Sequence, residues 1–303
     1  MTILRYHGFT NWQTRMTEQD DPRKDTTFGI ELEVQRISRE SPNCEKMASL
    51  LTREFGDLFV YENDSSIGEG FEIISQPVSW RWFRENLHIF RNMLTMLNEH
   101  GYRSHDGNKC GLHIHVGRTA LQGPTVQGGY LRESNVITNI MYTLERFQNE
   151  FFRFSRRTKT SLNDWSKFRT ELLVLDSGQY FIDKKKVGSY VVGNSGTRYH
   201  ALNLKNSATI EFRLFRGTLR FETFFLTMNL VKNCVEQAKI SHNVISFDDL
   251  VREGLSDEEN LWADEYLCSR RICSEALLSF DTVIARPRLQ SRDIHSLVEI
   301  LDD

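Results

Sequence analysis

Three stretches of this chain alternate apolar and ionisable residues with the period of two that marks a strand with one buried face. In Phe28–Val34 the residues Phe28, Ile30, Leu32 and Val34 share one side, leaving Glu31 and Glu33 together on the other. In Leu112–Val116 the apolar positions leave His113 and His115, and in Thr209–Phe215 they leave Glu211 beside Arg213. Any one pair is what a half-exposed strand turns toward water. Solvated faces, however, mix Lys, Thr, Ser and Gln, whereas these outward positions are Glu-Glu, His-His and Glu-Arg in strands apolar enough for a sheet centre. Carboxylates brought together raise one another's pKa unless cations neutralise them. Oxygen ligands of this kind suit Mg²⁺ or Mn²⁺. Residues i and i+2 of a strand are roughly 6–7 Å apart, and paired catalytic metals about 3.5–4 Å apart, so two such carboxylates can serve neighbouring ions.

Weaker alternation in Phe71–Ile74 and Tyr199–Leu204 predicts two further strands. Between the strands lie helical patterns. Trp80, Phe83, Leu87, Phe90, Leu94 and Leu97 recur at spacings of three and four, with Ser79 as N-cap and Gly101 as stop. Similar stripes run from Ile137 to Phe151 and from Phe221 to Val235 and predict packing surfaces. The Gly-rich stretches Gly117–Gly129 and Asp183–Arg198 read as mobile loops. Strands separated by long helical insertions predict an α+β fold. Three regions are expected: a flexible N-terminal arm over 1–25, a catalytic domain over 26–245, and a helical C-terminal region over 246–303 packed on the same domain.

The 303 residues carry a formal charge of −3, which gives no electrostatic reason to expect nucleic acid. Five cysteines, odd in number and without a CxxC pair, argue against a disulfide framework and fit a reducing cytoplasm. No apolar run approaches the roughly 20 residues of a membrane helix, and the N-terminal stretch lacks a signal-peptide core. A soluble, cytoplasmic protein is expected.

The segments GIELE (Gly29–Glu33), DSSIGEGFEIISQP (Asp64–Pro77), HIHVG (His113–Gly117) and RYHALNLKNSATIEFRLFRGTL (Arg198–Leu219) resemble the ordered motif set of the amidoligase family. That family is related to glutamine synthetase and glutamate–cysteine ligase. The resemblance implies a curved, mainly antiparallel sheet of the glutamine synthetase catalytic-domain type, with helices behind it. It implies a ligase that forms an acyl phosphate from a carboxylate and ATP, lets an amine displace phosphate, and releases ADP. It further implies Glu31, Glu33, Glu72 and Glu211 as metal ligands for Mg²⁺ or Mn²⁺, with His113 or His115 completing a metal shell or touching substrate. Arg213 would stabilise the transferring phosphoryl group, and Arg198, Asn203 and Arg216 would contact substrate or nucleotide. Only 28 residues precede Gly29, too few for the N-terminal β domain of glutamine synthetase, so neither its ring nor its ammonia acceptor is carried over. The partners expected are a carboxylate donor and an amine larger than ammonia: an amino acid, a peptide or a protein.

Other signals weigh less. Cys110, His113 and His115 have zinc-ligand chemistry, but that reading leaves the Glu pairs unexplained. Asp64 before two serines reads as a turn residue as readily as a ligand. Lys184–Lys186 and the group Arg153, Arg156, Arg157 and Lys159 read as solvated surface. The rival functions are guanidino phosphotransfer, metal-dependent hydrolysis and an inactive nucleotide-binding scaffold.

Overall fold

Four of the five strands read from alternation form, the expected Tyr199–Leu204 shrinks to Leu202–Asn203, and the strand carrying Glu31 and Glu33 organises the rest. A computed structural model describes residues 2–272 apart from 7, 106–109, 124–128, 170–171, 177–178, 194–196 and 241–245. Its strands are β1 (Ile3–Leu4), β2 (Thr27–Arg36), β3 (Phe59–Glu62), β4 (Gly70–Ser75), β5 (Val78–Ser79), β6 (Tyr102–Arg103), β7 (Gly111–Gly117), β8 (Leu173–Asp176), β9 (Gln179–Ile182), β10 (Leu202–Asn203) and β11 (Thr209–Arg216). Nine of them form one open sheet in the order β1-β3-β4-β2-β7-β11-β10, with β5 and β6 also paired to β2. Its pairings are antiparallel except for β1 beside β3. β8 and β9 pair separately as a hairpin. The architecture is thus a mixed α/β one around an open, mostly antiparallel sheet.

β2 is the spine because both of its edges are shared. Phe28 pairs with Val78 of β5 and Val116 of β7, while Gln35 pairs with Gly70 of β4 and Arg103 of β6. One face of the spine and its neighbours is apolar: Phe28, Ile30, Leu32, Val34, Leu112, Ile114, Val116, Ile210 and Phe212 are all essentially inaccessible and belong to one core cluster. Burial of each such side chain contributes about 1.5–3 kcal/mol.

Helices cover that face. Ser79 Oγ accepts from the Trp82 amide at 3.1 Å and starts the helix Trp80–Glu85, whose Trp80 ring lies 6.2 Å from Phe28. The apolar stripe continues through Leu97 as read, but as two helices, because Asn86 leaves helical geometry (φ −116°, ψ 25°) before Leu87–Glu99 begins. Phe83 and Phe90 then meet Phe225 and Phe224 of the helix Phe221–Ile240, at 6.4 and 5.9 Å between centroids. The next stripe divides likewise at Phe147, into Gly129–Arg146 and Gln148–Ser155.

Three further regions complete the fold. Lys184–Gly193, read as part of a mobile loop, is a helix that buries Val187 and Val191, so Gly188 and Gly193 did not prevent it. The N-terminal region, expected to be a flexible arm, is tied to the sheet at Ile3 and Leu4 by the β1–β3 pairing and at Arg15 by a bridge to Val78. The C-terminal region contributes Phe247–Arg252 and Asp257–Ser269, the latter opened by a capping box of Ser256 and Glu259. Asn229 and Asn233 of the long helix donate to the Val251 and Leu250 carbonyls, both at 2.8 Å, and fix this region to the core. Residues 273–303 lie outside the described residues, as does Cys273. No helix among the described residues is long and apolar enough to cross a membrane.

Candidate functional site

The polar face of the sheet gathers the ionisable pairs by register alone. Across β2 and β7, Glu31 faces His113; across β7 and β11, His115 faces Glu211; across β2 and β4, Glu33 faces Glu72; across β10 and β11, Asn203 faces Glu211. Directly opposed residues share a face, and the i+2 partners do as well. Four strands therefore bring all four predicted carboxylates and both histidines onto one surface.

On that surface the ligand atoms form two groups of three. Glu31, His113 and Glu211 make one, and Glu33, Asp64 and Glu72 the other; within each, the candidate atoms lie within 4.8 Å of one another. In the first, His113 Nδ1 is 3.2 Å from Glu31 Oε2 and 3.4 Å from Glu211 Oε1, and His115 Nε2 is 2.9 Å from Glu31 Oε1. Asn203 Nδ2 donates to Glu211 Oε2 at 2.7 Å, and Arg213 Nη1 donates to Glu211 Oε1. In the second, Glu33 Oε2 accepts from the Gly111 amide at 2.5 Å. Asp64 combines both of its readings: Oδ1 closes a turn by accepting from the Ser66 amide at 2.7 Å, and the carboxylate also sits with Glu33 and Glu72.

The two groups are electrostatically unlike. Burial opposes ionisation of Glu31, but the charge of the nearby His115 and the hydrogen bond from His113 outweigh it and hold the carboxyl well below the usual range. Burial also opposes charge on His115, yet Glu31 outweighs it and raises the imidazole to about 9. Glu72 has no such partner. Burial, then the charges of Glu31, Glu33, Asp64 and Glu62, push it up to about 9.

This donor set suits a divalent cation. An all-carboxylate group fits Mg²⁺ or Mn²⁺, and the group containing His113 also accepts softer ions. His115 Nε2, although close to Glu31, makes no aligned hydrogen bond, and the buried Nε of Arg213 makes none either. Both are polar atoms in a surface that a ligand would complete.

A cleft of about 740 Å³ opens over these groups, with Glu31, Glu33, Asp64, Glu72 and His113 on its lining. Arg213 and Arg198 line it too. Arg213 stands at a bulge: Phe212 pairs with Ile114 but Phe215 with Leu112, so β11 carries one extra residue there, and the Arg213 amide turns instead to the Ala201 carbonyl at 2.9 Å. Bulges beside functional sites re-aim side chains in this way. The remaining predicted contacts are placed differently. Asn203 is buried beneath Glu211, and Arg216, at the far end of β11, gives Nη2 to the His105 carbonyl; neither lines the cleft.

Residues that the sequence did not single out complete the lining. Arg5 and Tyr6 come from the N-terminal region and Trp165 and Tyr199 from the far side, with Arg198 bonded to the hydroxyls of Tyr6 at 3.4 Å and Tyr199 at 3.2 Å. Arg157, read as solvated, is only 7% exposed and also lines the cleft. Its signal was absent from periodicity, because Arg156 adopts a left-handed conformation (φ 59°) that ends one helix and redirects the chain before Thr158 caps the next.

Residues 49–231, more than half of the chain, match the family described as "Putative amidoligase enzyme". The chain belongs to the amidoligase family. The match includes Glu72, both histidines, Glu211 and Arg213; Glu31 and Glu33 precede it and join these residues through the pairing of β2. No curated protein matches this amidoligase-family chain. Among solved structures, a bifunctional glutathione synthetase from Pasteurella multocida is similar over 84% of this chain and 45% of its own, with 12% identity and a TM-score of 0.35. The chain thus spans less than half the length of that protein, and so distant a likeness says nothing about the site.

Proposed function

We propose that this amidoligase-family chain is an ATP-dependent carboxylate–amine ligase, built on a sheet of the glutamine synthetase catalytic-domain type, with its catalytic unit over 26–245. The observation that carries the reading is the pair of three-residue groups side by side on one polar face, with Arg213 at their edge in the same cleft. Glu33, Asp64 and Glu72 would hold one Mg²⁺, and Glu31, Glu211 and His113 a second ion, Mg²⁺ or Mn²⁺. Bound there, such ions neutralise phosphate oxygens and align them for transfer.

The chain's own groups do the rest. Arg213, tethered by Glu211 and re-aimed by the bulge, presents its planar fork to the charge that spreads over a transferring phosphoryl group. Asn203 and His115 orient Glu211 and Glu31, with His115 held through Nδ1 by Thr209 Oγ1 at 3.1 Å. A substrate carboxylate attacks the γ-phosphorus of ATP, the bond to the bridging oxygen breaks, and ADP leaves. An amine then attacks the acyl carbon, loses a proton and expels phosphate. Arg198, Trp165 and Tyr199 border the open mouth and leave room for an amine larger than ammonia, on an amino acid, a peptide or a protein.

Incubation with Mg²⁺-ATP and mixed amino acids, polyamines and peptides, followed by mass spectrometry of nucleotides and amides, tests this reading. ADP, phosphate and a new amide are expected. AMP as product rejects the acyl phosphate, a phosphorylated guanidine selects phosphotransfer, and amide cleavage without ATP selects hydrolysis.

A further inference from the structure

The cleft is acidic on the wall just described and basic on another, and the basic wall has a buried member that the proposed chemistry has not used. Arg157 is 7% exposed, lines the cleft, and has no carboxylate within ion-pair distance among the described residues. Its Nη1 donates to Ser161 Oγ at 3.0 Å and its Nη2 to the Arg213 carbonyl at 3.3 Å, while its Nε is buried with no partner. Two of its five N–H groups are thus engaged, and both bonds go to neutral oxygens. Taking a guanidinium out of water without a counter-charge is unfavourable, and such a group persists where an anion completes it. Burial pulls its pKa down to about 10, against the attraction of Glu33, so it remains a cation at neutral pH.

The surroundings are built around this guanidinium. A Cβ on Gly111 would stand 2.6 Å from Arg157 Nη2, so the strand omits a side chain where the guanidinium lies. The left-handed turn at Arg156 and the hydrogen bond from the Arg157 amide to Ser155 Oγ at 3.2 Å direct the side chain inward from the helix end. Its bond to the carbonyl of Arg213 couples it to the bulge that aims the second arginine.

We propose that Arg157, seated over Gly111 and bonded to the bulge at Arg213, is the centre of an oxyanion-binding site in the cleft. The anion is a phosphoryl group or a carboxylate, and the site deepens the ligase reading, on which it rests for the choice between those two sources. The test compares wild type, Arg157→Gln, Arg157→Lys and Ser161→Ala, each checked by thermal melting. Calorimetry measures binding of tripolyphosphate with Mg²⁺, of L-glutamate as the carboxylate probe, and of adenosine as an uncharged control. Loss of at least tenfold affinity for one anion in Arg157→Gln, with adenosine unaffected, is expected, and the anion lost names the source. Arg157→Lys should recover part of that loss, because it restores charge without the fork, and Ser161→Ala should show a smaller loss in a protein that keeps the guanidinium, which preserves the test if Arg157→Gln fails to fold. Wild-type protein that binds neither anion overturns the proposal. So do variants that bind both as wild type does, or that lose only melting temperature. Anion binding that depends on Arg157 in a protein that makes no ADP would leave this site standing and the ligase reading fallen.

Discussion

The two carboxylate groups lie side by side on the same sheet face, yet one balances its own charge and the other does not. Glu31 and Glu211 are met by His113, His115, Arg213 and Asn203, so their negative charge is answered within the protein. Among the described residues, Glu33, Asp64 and Glu72 stand together with no Lys or Arg in ion-pair contact, only the His113 ring 3.9 Å from Glu33, and the outcome is a Glu72 proton retained to about pH 9. The first group is a preassembled scaffold. The second is a cluster of like charge that, in the proposed function, a cation would neutralise, and the two should therefore respond differently to the same manipulation.

The largest effect should come from isosteric neutralisation. Glu31→Gln and Glu72→Gln should each lower turnover by more than roughly 100-fold, since even groups that only orient metal ligands are worth about 10–100-fold. Their metal-free stabilities should diverge. Glu31→Gln removes the carboxylate that keeps buried His115 protonated, breaks that buried ion pair, and should lose about 3 kcal/mol in urea unfolding at pH 7. Glu72→Gln replaces a carboxyl that is already neutral at that pH and should stay within about 0.5 kcal/mol of wild type. Equal losses in both would erase the distinction between the groups.

Next in size is Arg213→Lys, which should melt like wild type and lose roughly 100-fold in kcat, because a point-charge ammonium lacks the fork. A collapsed melting curve would make Arg213 part of the scaffold and not of the chemistry.

The pH dependence of the metal-free protein sharpens the contrast further. Glu72 and His115 have folded-state pKa values near 9, above their unfolded values of 4.5 and 6.5. Their contributions are complete below those unfolded values and are lost as pH rises through about 9, so metal-free Tm should fall between pH 7 and 10. Glu31 behaves oppositely: its contribution is present above its unfolded value of 4.5 and is lost in acid. Because the Glu72 proton must leave before the carboxylate can ligate, Mg²⁺ binding at pH 7.5 should release about one proton, measurable by calorimetry in buffers of different ionisation enthalpy. Binding without proton release would place the ion elsewhere.

The smallest effect should be Asn203→Ala. It frees one oxygen of Glu211 and should cost about 1 kcal/mol of stability and up to about tenfold in kcat.

The same contrast separates what was legible in the sequence from what was not. Glu31, Glu33, His113, His115 and Glu211 could be read because each sits on a strand with one apolar face, and alternation transmits the facing of every side chain. β3 was illegible because Phe59, Val60, Tyr61 and Glu62 are all buried, which leaves no alternation to detect. Arg157 and Tyr6 reach the cleft through a left-handed turn and a parallel edge strand, neither of which writes a period into the chain. The helix at Lys184–Gly193 was hidden by glycines that intrinsic propensity penalises and tertiary packing of Val187 and Val191 overrides.

The bulge in β11 has a consequence for how such motifs are counted. It acts as a frameshift in side-chain phase: upstream of it the odd-numbered residues Glu211 and Arg213 belong to the polar side, whereas downstream the even-numbered Arg216, opposite Gly111, does. Leu214 and Phe215 can therefore both be buried although they are neighbours. Carrying the upstream pairing straight through this point, with no residue left over, would turn Phe215 toward the carboxylates and Arg216 into the core. A more regular strand would then be a worse site, and an alignment that closes this one-residue gap would equate positions that face opposite ways.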